Sequence, residues 1–222
     1  MTERGRTSPL ENLRFRNLTL AAAILTFLVI VIGGIVRVTG AGGACADLFS
    51  IGPCISPLSS PGIGSAALDF LHRLVTIIVT PVVLVAALAA WRRRNETSWV
   101  SLPILLSLVI LIFQIVLGAW VFGQQSQELR AWMSAVHLGL SLLVQAGLLI
   151  GAVMLFYSHH DQAVHRKEPR RISYKSPFAR LSVLTLGVVF LLLVSGAVVA
   201  GSQSTTACAS WPLCETGLFP TD

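Results

Sequence analysis

Charge is scarce in this chain. Only 12% of its 222 residues are Asp, Glu, Lys or Arg, while 54% are hydrophobic. Soluble domains carry roughly 25% charged residues, so the shortage excludes an ordinary water-soluble fold and points to a polytopic membrane protein. Motifs of soluble enzymes are missing as well: there is no phosphate-cradling glycine loop and no Ser-His-Asp arrangement. Cysteine is limited to Cys45, Cys54, Cys208 and Cys214, spaced by nine and six within each pair, whereas zinc sites favour two to four. Of the five histidines, His159, His160 and His165 crowd into one basic stretch that reads as a solvated linker, leaving two inside apolar runs.

Five such runs, 18–38, 67–90, 102–122, 133–157 and 178–200, are long enough for a hydrocarbon core that takes about 20 residues to cross. The fold class expected is therefore an all-α integral membrane protein. The formal charge of +6 does not imply nucleic acid, because the basic residues follow alternate loops. Arg4, Arg6, Arg14, Arg16, Arg92, Arg93, Arg94, Arg166, Lys167, Arg170, Arg171, Lys175 and Arg180 fall on one side, and Arg37, Arg73 and Arg130 on the other. This asymmetry places the N-terminus in the cytoplasm and the last segment outside, in a multi-pass protein of the plasma membrane. The first run is too long for a signal-peptide core, and Arg37 is a poor prelude to cleavage. All four cysteines then lie in two outer loops, where an oxidising compartment permits disulfides Cys45–Cys54 and Cys208–Cys214.

The chain also repeats itself. Shifted by 163 residues, 15–45 falls on 178–208 without a gap, and nine of 31 positions are identical, among them Phe27/Phe190, Gly33/Gly196 and Cys45/Cys208. Composition alone would give roughly three, so a duplication is implied. The expected layout is a four-helix bundle at 1–160, a basic linker at 161–177, and at 178–222 the first helix and outer loop of an incomplete second bundle. Four helices per unit would relate the units by an axis along the membrane normal. The chain is then either part of an eight-helix protein or one that has lost a half. A longer product would carry histidines near 235 and 300, which are 72 and 137 plus 163.

His72 and His137 are the two histidines inside the runs, each a short way in from the outer end of its own helix. Intramembrane ionisable groups face the bundle interior, and bundles build cofactor sites there. Two imidazoles at one depth, with no carboxylate or thiolate beside them, suit an axially ligated heme better than zinc. The alternative is that each ring donates to a neighbouring carbonyl. Asp69, at i−3 from His72, could orient that imidazole, relay a proton or cap the helix. Arg37 and Arg73 could pair with heme propionates or snorkel to the interface. Gln114 and Gln145 suit interhelical hydrogen bonds, and Trp99, Trp120 and Trp132 an interfacial belt.

At GGIVRVTGAGGAC (33–45), DFLHR (69–73), AVHLGLSLL (135–143) and CASWPLC (208–214) the chain resembles the heme A synthase family. That resemblance implies eight helices in two halves, each with a histidine pair and a cysteine pair. It implies heme b as cofactor and heme O as substrate, whose methyl group is oxidised to formyl with oxygen from water, making heme A for terminal oxidases. His72 and His137 would hold the substrate heme, Asp69 would be catalytic, and Cys45–Cys54 would be the disulfide of this half. Implied partners are membrane lipid, heme O and heme O synthase, with a homo-oligomer supplying the second heme if one half acts alone. The family usually has Glu at the position of Asp69, and the first cysteine loop, CADLFSIGPC, lacks the Trp-Pro seen in CASWPLC. A non-enzymatic bis-histidine b-type cytochrome or heme-handling remnant is the rival reading, and a parallel-repeat transporter fragment a third.

Overall fold

A computed structural model describes residues 9–39, 41, 63–95, 98–121, 126–163 and 176–202. Five helices take up nearly all of them: α1 (Pro9–Val38), α2 (Ile63–Arg92), α3 (Ser98–Val121), α4 (Gln127–Ala163) and α5 (Pro177–Gly201). Each holds a stretch long and apolar enough to cross a membrane, namely Asn12–Val38, Ala66–Arg92, Ser98–Val121, Gln127–Tyr157 and Pro177–Gly201. The expected all-α, multi-pass membrane protein is what is found. In lipid a spanning backbone must satisfy its own hydrogen bonds, which makes helix the form these runs take even around Pro81 and Pro103. The four cysteines, and with them both expected disulfides, lie outside the described residues.

The helices overrun the apolar runs at their polar ends. Proline at the first position, where no amide donor is needed, opens α1 at Pro9. The Ser126 hydroxyl accepts from the Leu129 amide at 3.4 Å and Glu128 sits in the first turn, so α4 begins at Gln127. Ser176 caps α5 in the same way, accepting from Ala179 at 3.1 Å ahead of Pro177. One expectation needs correcting here. His159 and His160 belong to the last turns of α4, which runs to Ala163, and not to a linker. Hydropathy marks where lipid is crossed, whereas the helix stops only where its backbone bonding does.

The chain forms two compact units. The first comprises Met1–Ile115 and Leu140–Ser173, hence α1, α2, most of α3 and the later part of α4. Its core gathers Ala22 and Ala23 of α1 with Val83, Ala86, Ala87 and Ala90 of α2, and Ile104 of α3 with Val144 and Leu148 of α4. Alanines predominate because lipid gives no hydrophobic drive between helices, so close backbone approach must hold them together. Between α3 and α4 the approach is closest at Gly147, where a Cβ would stand 2.8 Å from the Pro103 carbonyl oxygen and collide with the Ser107 hydroxyl. That hydroxyl reaches the carbonyls of Pro103 (2.8 Å) and Val144 (3.1 Å), and Ser141 donates to Gln114 Oε1 at 3.0 Å. Gln114 therefore makes the interhelical bond expected of it. At the arginine-rich end, Arg93 bonds Asn12 at 2.5 Å and lies over the Phe15 ring.

Gly147→Ala should accordingly destabilise the protein by about 1–3 kcal/mol, the usual cost of overpacking. Gly187→Ala, where a Cβ meets nothing within 4 Å, should have no such effect. Thermal unfolding in detergent compares them, and equal behaviour would remove Gly147 from the packing argument.

The second unit comprises Val116–Gly139 and Tyr174–Asp222. Within it Gly139 of α4 lies against α5, with a Cβ there 3.3 Å from Val194 and 3.5 Å from Phe190. Gln127 donates to the Ser202 carbonyl at 3.4 Å. Along the rest of α5 apolar side chains point outward: only 6% of its spanning window is buried, against 28–33% in the other four. An apolar surface of that extent belongs in lipid or against another helix.

Candidate functional site

His72 stands nine residues into α2, counting from Ile63, and His137 ten residues into α4, counting from Gln127. At 1.5 Å per residue these are depths of roughly 14 and 15 Å along their own helices. The two histidines fall in different compact units, His72 in the first and His137 in the second.

In the first unit the His72 ring lies on α1. It faces the backbone carbonyl of Val29 and packs against Gly33, where a Cβ would be 2.8 Å from His72 Cε1 and 3.3 Å from Nδ1. Val29 and Gly33 are one turn apart, so a single stripe of α1 receives the ring. Nδ1 is buried and makes no hydrogen bond among the described residues. Buried polar atoms are normally satisfied, and an imidazole with one nitrogen unspent is the arrangement a metal-binding histidine needs. The carbonyl of His72 accepts from Thr76 Oγ1 at 2.8 Å, one of several hydroxyls that bond back to their own helix.

Asp69 lies one turn before His72 and is only 1% exposed. Because α2 begins at Ile63, Asp69 is in its second turn, and the reading of it as a helix cap falls. Its carboxylate is gripped by Arg73, with Nη2 3.0 Å from Oδ2 and Nε 3.3 Å from Oδ1. The fork fixes both carboxylate oxygens, as bidentate arginine pairs do. Arg73, read from sequence as a propionate contact, thus has its guanidinium on Asp69. Arg37 stands one turn beyond Gly33 on α1, half-buried in the last turn of that helix.

In the second unit the His137 ring packs on Gly118 of α3, with a Cβ position 3.0 Å from Cε1 and 3.4 Å from Nδ1. Gly33 and Gly118 are the residues that reading by chemistry overlooks, because a residue without a side chain carries no chemistry to notice. Among the described residues no group of three or more His, Cys, Asp or Glu side chains is assembled around either ring. Trp99, Trp120 and Trp132 are all more than half exposed near helix ends, as interfacial tryptophans are.

The fold and these residues define a class: a multi-pass helical membrane protein with single histidines deep in two of its spanning helices, each ring seated on a glycine of another helix. The family model described as cytochrome oxidase assembly protein, COX15-CtaA, matches residues 64–222, and the chain belongs to that family. Its relatives include a heme A synthase of Alkalihalophilus pseudofirmus, 26% identical over 93% of this chain and 66% of the relative. A heme A synthase of Bacillus pumilus is 28% identical over 89% of the chain and 63% of the relative. One from an Exiguobacterium species is 31% identical over 85% and 58%. The chain thus spans a little under two thirds of the length of the relatives it matches.

Proposed function

We propose that this chain acts in heme A biosynthesis, as a heme A synthase-like oxidoreductase that converts the methyl group of heme O to a formyl group. The reading is carried by one observation: each intramembrane histidine is held against a glycine, and His72 keeps a buried nitrogen unspent. His72 and His137 would each offer an imidazole to the iron of the substrate heme, a donor type suited to heme iron. Arg37, on the glycine stripe of α1 and nearer the helix end, would meet a propionate. Asp69, its orientation fixed by Arg73, would accept the proton of the water whose oxygen bonds to the methyl carbon as a C–H bond breaks and two electrons pass to an external acceptor. A second such step gives the hydrate that loses water to the formyl group. The distribution of basic residues supports an orientation in which the histidine-bearing helix ends and the cysteine loops would lie outside a plasma membrane, with the N-terminus in the cytoplasm. Disulfides Cys45–Cys54 and Cys208–Cys214 would brace those loops, and heme O synthase or a second copy of the chain would be the partners.

With His72 and His137 read as ligands of the substrate heme, a resident heme b would need a further histidine pair. His72 and His137 are assigned to the substrate, and the other described histidines, His159 and His160, lie at the far end of α4.

The test is to produce the chain in membranes of cells that make heme O and to extract the hemes. Appearance of heme A supports the proposal. Heme O persisting alone on folded, heme-loaded protein would reassign the chain to the non-enzymatic cytochrome reading.

A further inference from the structure

Three helices carry the same pattern of six residues near one end. Residues 31–36 read VIGGIV in α1, 116–121 read VLGAWV in α3, and 194–199 read VSGAVV in α5. The shared form is Val-x-Gly-small-x-Val, and it ends within two residues of the end of each helix.

In α1 and α3 the pattern has one structural meaning. Its glycine receives the histidine ring of the next helix in the chain. From the position of a Cβ at Gly33, His72 offers Cε1 at 2.8 Å, Nδ1 at 3.3 Å and Nε2 at 3.5 Å. From Gly118, His137 offers the same atoms in the same order, at 3.0, 3.4 and 3.7 Å. The second valine, three residues on and so on the same face, is buried in both, at 4% for Val36 and 6% for Val121. In α5 no described atom comes within 4 Å of a Cβ at Gly196, and Val199 is 44% exposed. A shared habit of lipid-embedded helices would not place two separate rings alike to within 0.2 Å.

We propose that Gly33 and Gly118 are positioning residues, each a seat that sets the depth and plane of the imidazole presented by the following helix. The proposal rests on the reading that His72 and His137 bind heme iron. Carbon atoms in contact stand roughly 3.5–4.0 Å apart, so a methyl group at either glycine enters space the ring occupies. Alanine at 33 lifts His72 off α1 and away from the Val29 carbonyl by roughly 0.7–1.2 Å. Ligand geometry tolerates shifts of only about half an ångström. The seat acts on the ring alone and touches no reacting atom.

The experiment compares Gly33→Ala and Gly118→Ala with Gly34→Ala, whose added Cβ meets nothing within 4 Å. Each is purified in detergent after loading with heme, and the low-spin electron paramagnetic resonance signal, midpoint potential and heme retention on dilution are read. The two seat variants should show moved signals and retention weakened roughly tenfold or more, the range for residues that orient a metal ligand. Gly34→Ala should match the parent. Parent-like signals and retention in both seat variants overturn the proposal while leaving the heme reading intact. Low-spin heme surviving His72→Ala overturns the heme reading itself. Should Gly33→Ala unfold, the double variant with His72→Ala decides: without the ring the methyl has nothing to strike, so the double should be as heat-stable as His72→Ala. A double variant that also unfolds would assign Gly33 to backbone packing and end the proposal.

Discussion

Replacing His72 or His137 by alanine is expected to abolish the low-spin heme spectrum, each substitution alone being sufficient. On the reading that both imidazoles serve as heme ligands, withdrawing either removes a donor that the low-spin state needs. The loss should also appear as stability. A ligand present at a hundredfold its Kd stabilises the folded state by about 2.7 kcal/mol, and a variant without its ligand forfeits most of that. Heating the protein with and without added heme measures it: the parent should gain heat stability from heme and the two variants should not. The fold should survive, because neither ring belongs to the apolar core of the first unit, which is built from α1–α4 alanines, valines and leucines. His159→Ala, near the end of α4, should behave like the parent. A full low-spin spectrum in either His72→Ala or His137→Ala would dispose of the heme reading.

Much of this was legible before any coordinates. Apolar runs of about 20 residues must be helices in lipid, so the count and class of elements follow from composition and length. Ends were less legible. Asp69 reads as a cap if α2 starts at the apolar boundary near Ala67, yet the helix starts at Ile63 and places the carboxylate in its second turn. Four more residues of helix ahead of the apolar run changed the chemistry available to it, from capping an amide to forking with Arg73. That pair is visible as an i,i+4 spacing, but a guanidinium at Arg73 suits a heme propionate equally well. The two histidines were found because intramembrane imidazoles are rare and costly. Their seats were not, because what makes Gly33 and Gly118 matter is the space they leave. The signal lies in the recurrence of Val-x-Gly-small-x-Val across α1, α3 and α5, a likeness between alternate helices that one long repeat does not contain. The small-residue contact of Gly147 with Ser107 and Pro103 was equally silent, since helical faces all look apolar when lipid lies on one side and protein on the other.

Asp69→Asn is expected to keep heme and lose conversion of heme O by roughly a hundredfold or more, the range for a positioned proton acceptor. The amide has the size and shape of the carboxylate, so the second turn of α2 stays packed, but it cannot take a proton from water. Asp69→Glu should hold much more activity, since glutamate four residues before Arg73 keeps both the charge and the helical spacing of the pair. Asp69→Ala separates this role from a structural one. It leaves the Arg73 guanidinium without the carboxylate it grips, which in a fully buried pair costs about 3–5 kcal/mol. Arg73 is 17% exposed and long enough to reach toward the interface, so a cost of roughly 1–3 kcal/mol is the better expectation. The chemical and structural effects thus part company: Asn, which keeps one acceptor for Arg73, loses turnover with a smaller loss of heat stability than Ala, Ala loses both, and Glu loses little of either. Ratios of heme A to heme O in extracts, read beside thermal unfolding of the same preparations, distinguish them. Turnover at the parent rate in Asp69→Asn would leave Asp69 as the counter-ion of Arg73 and send the search for the proton acceptor elsewhere.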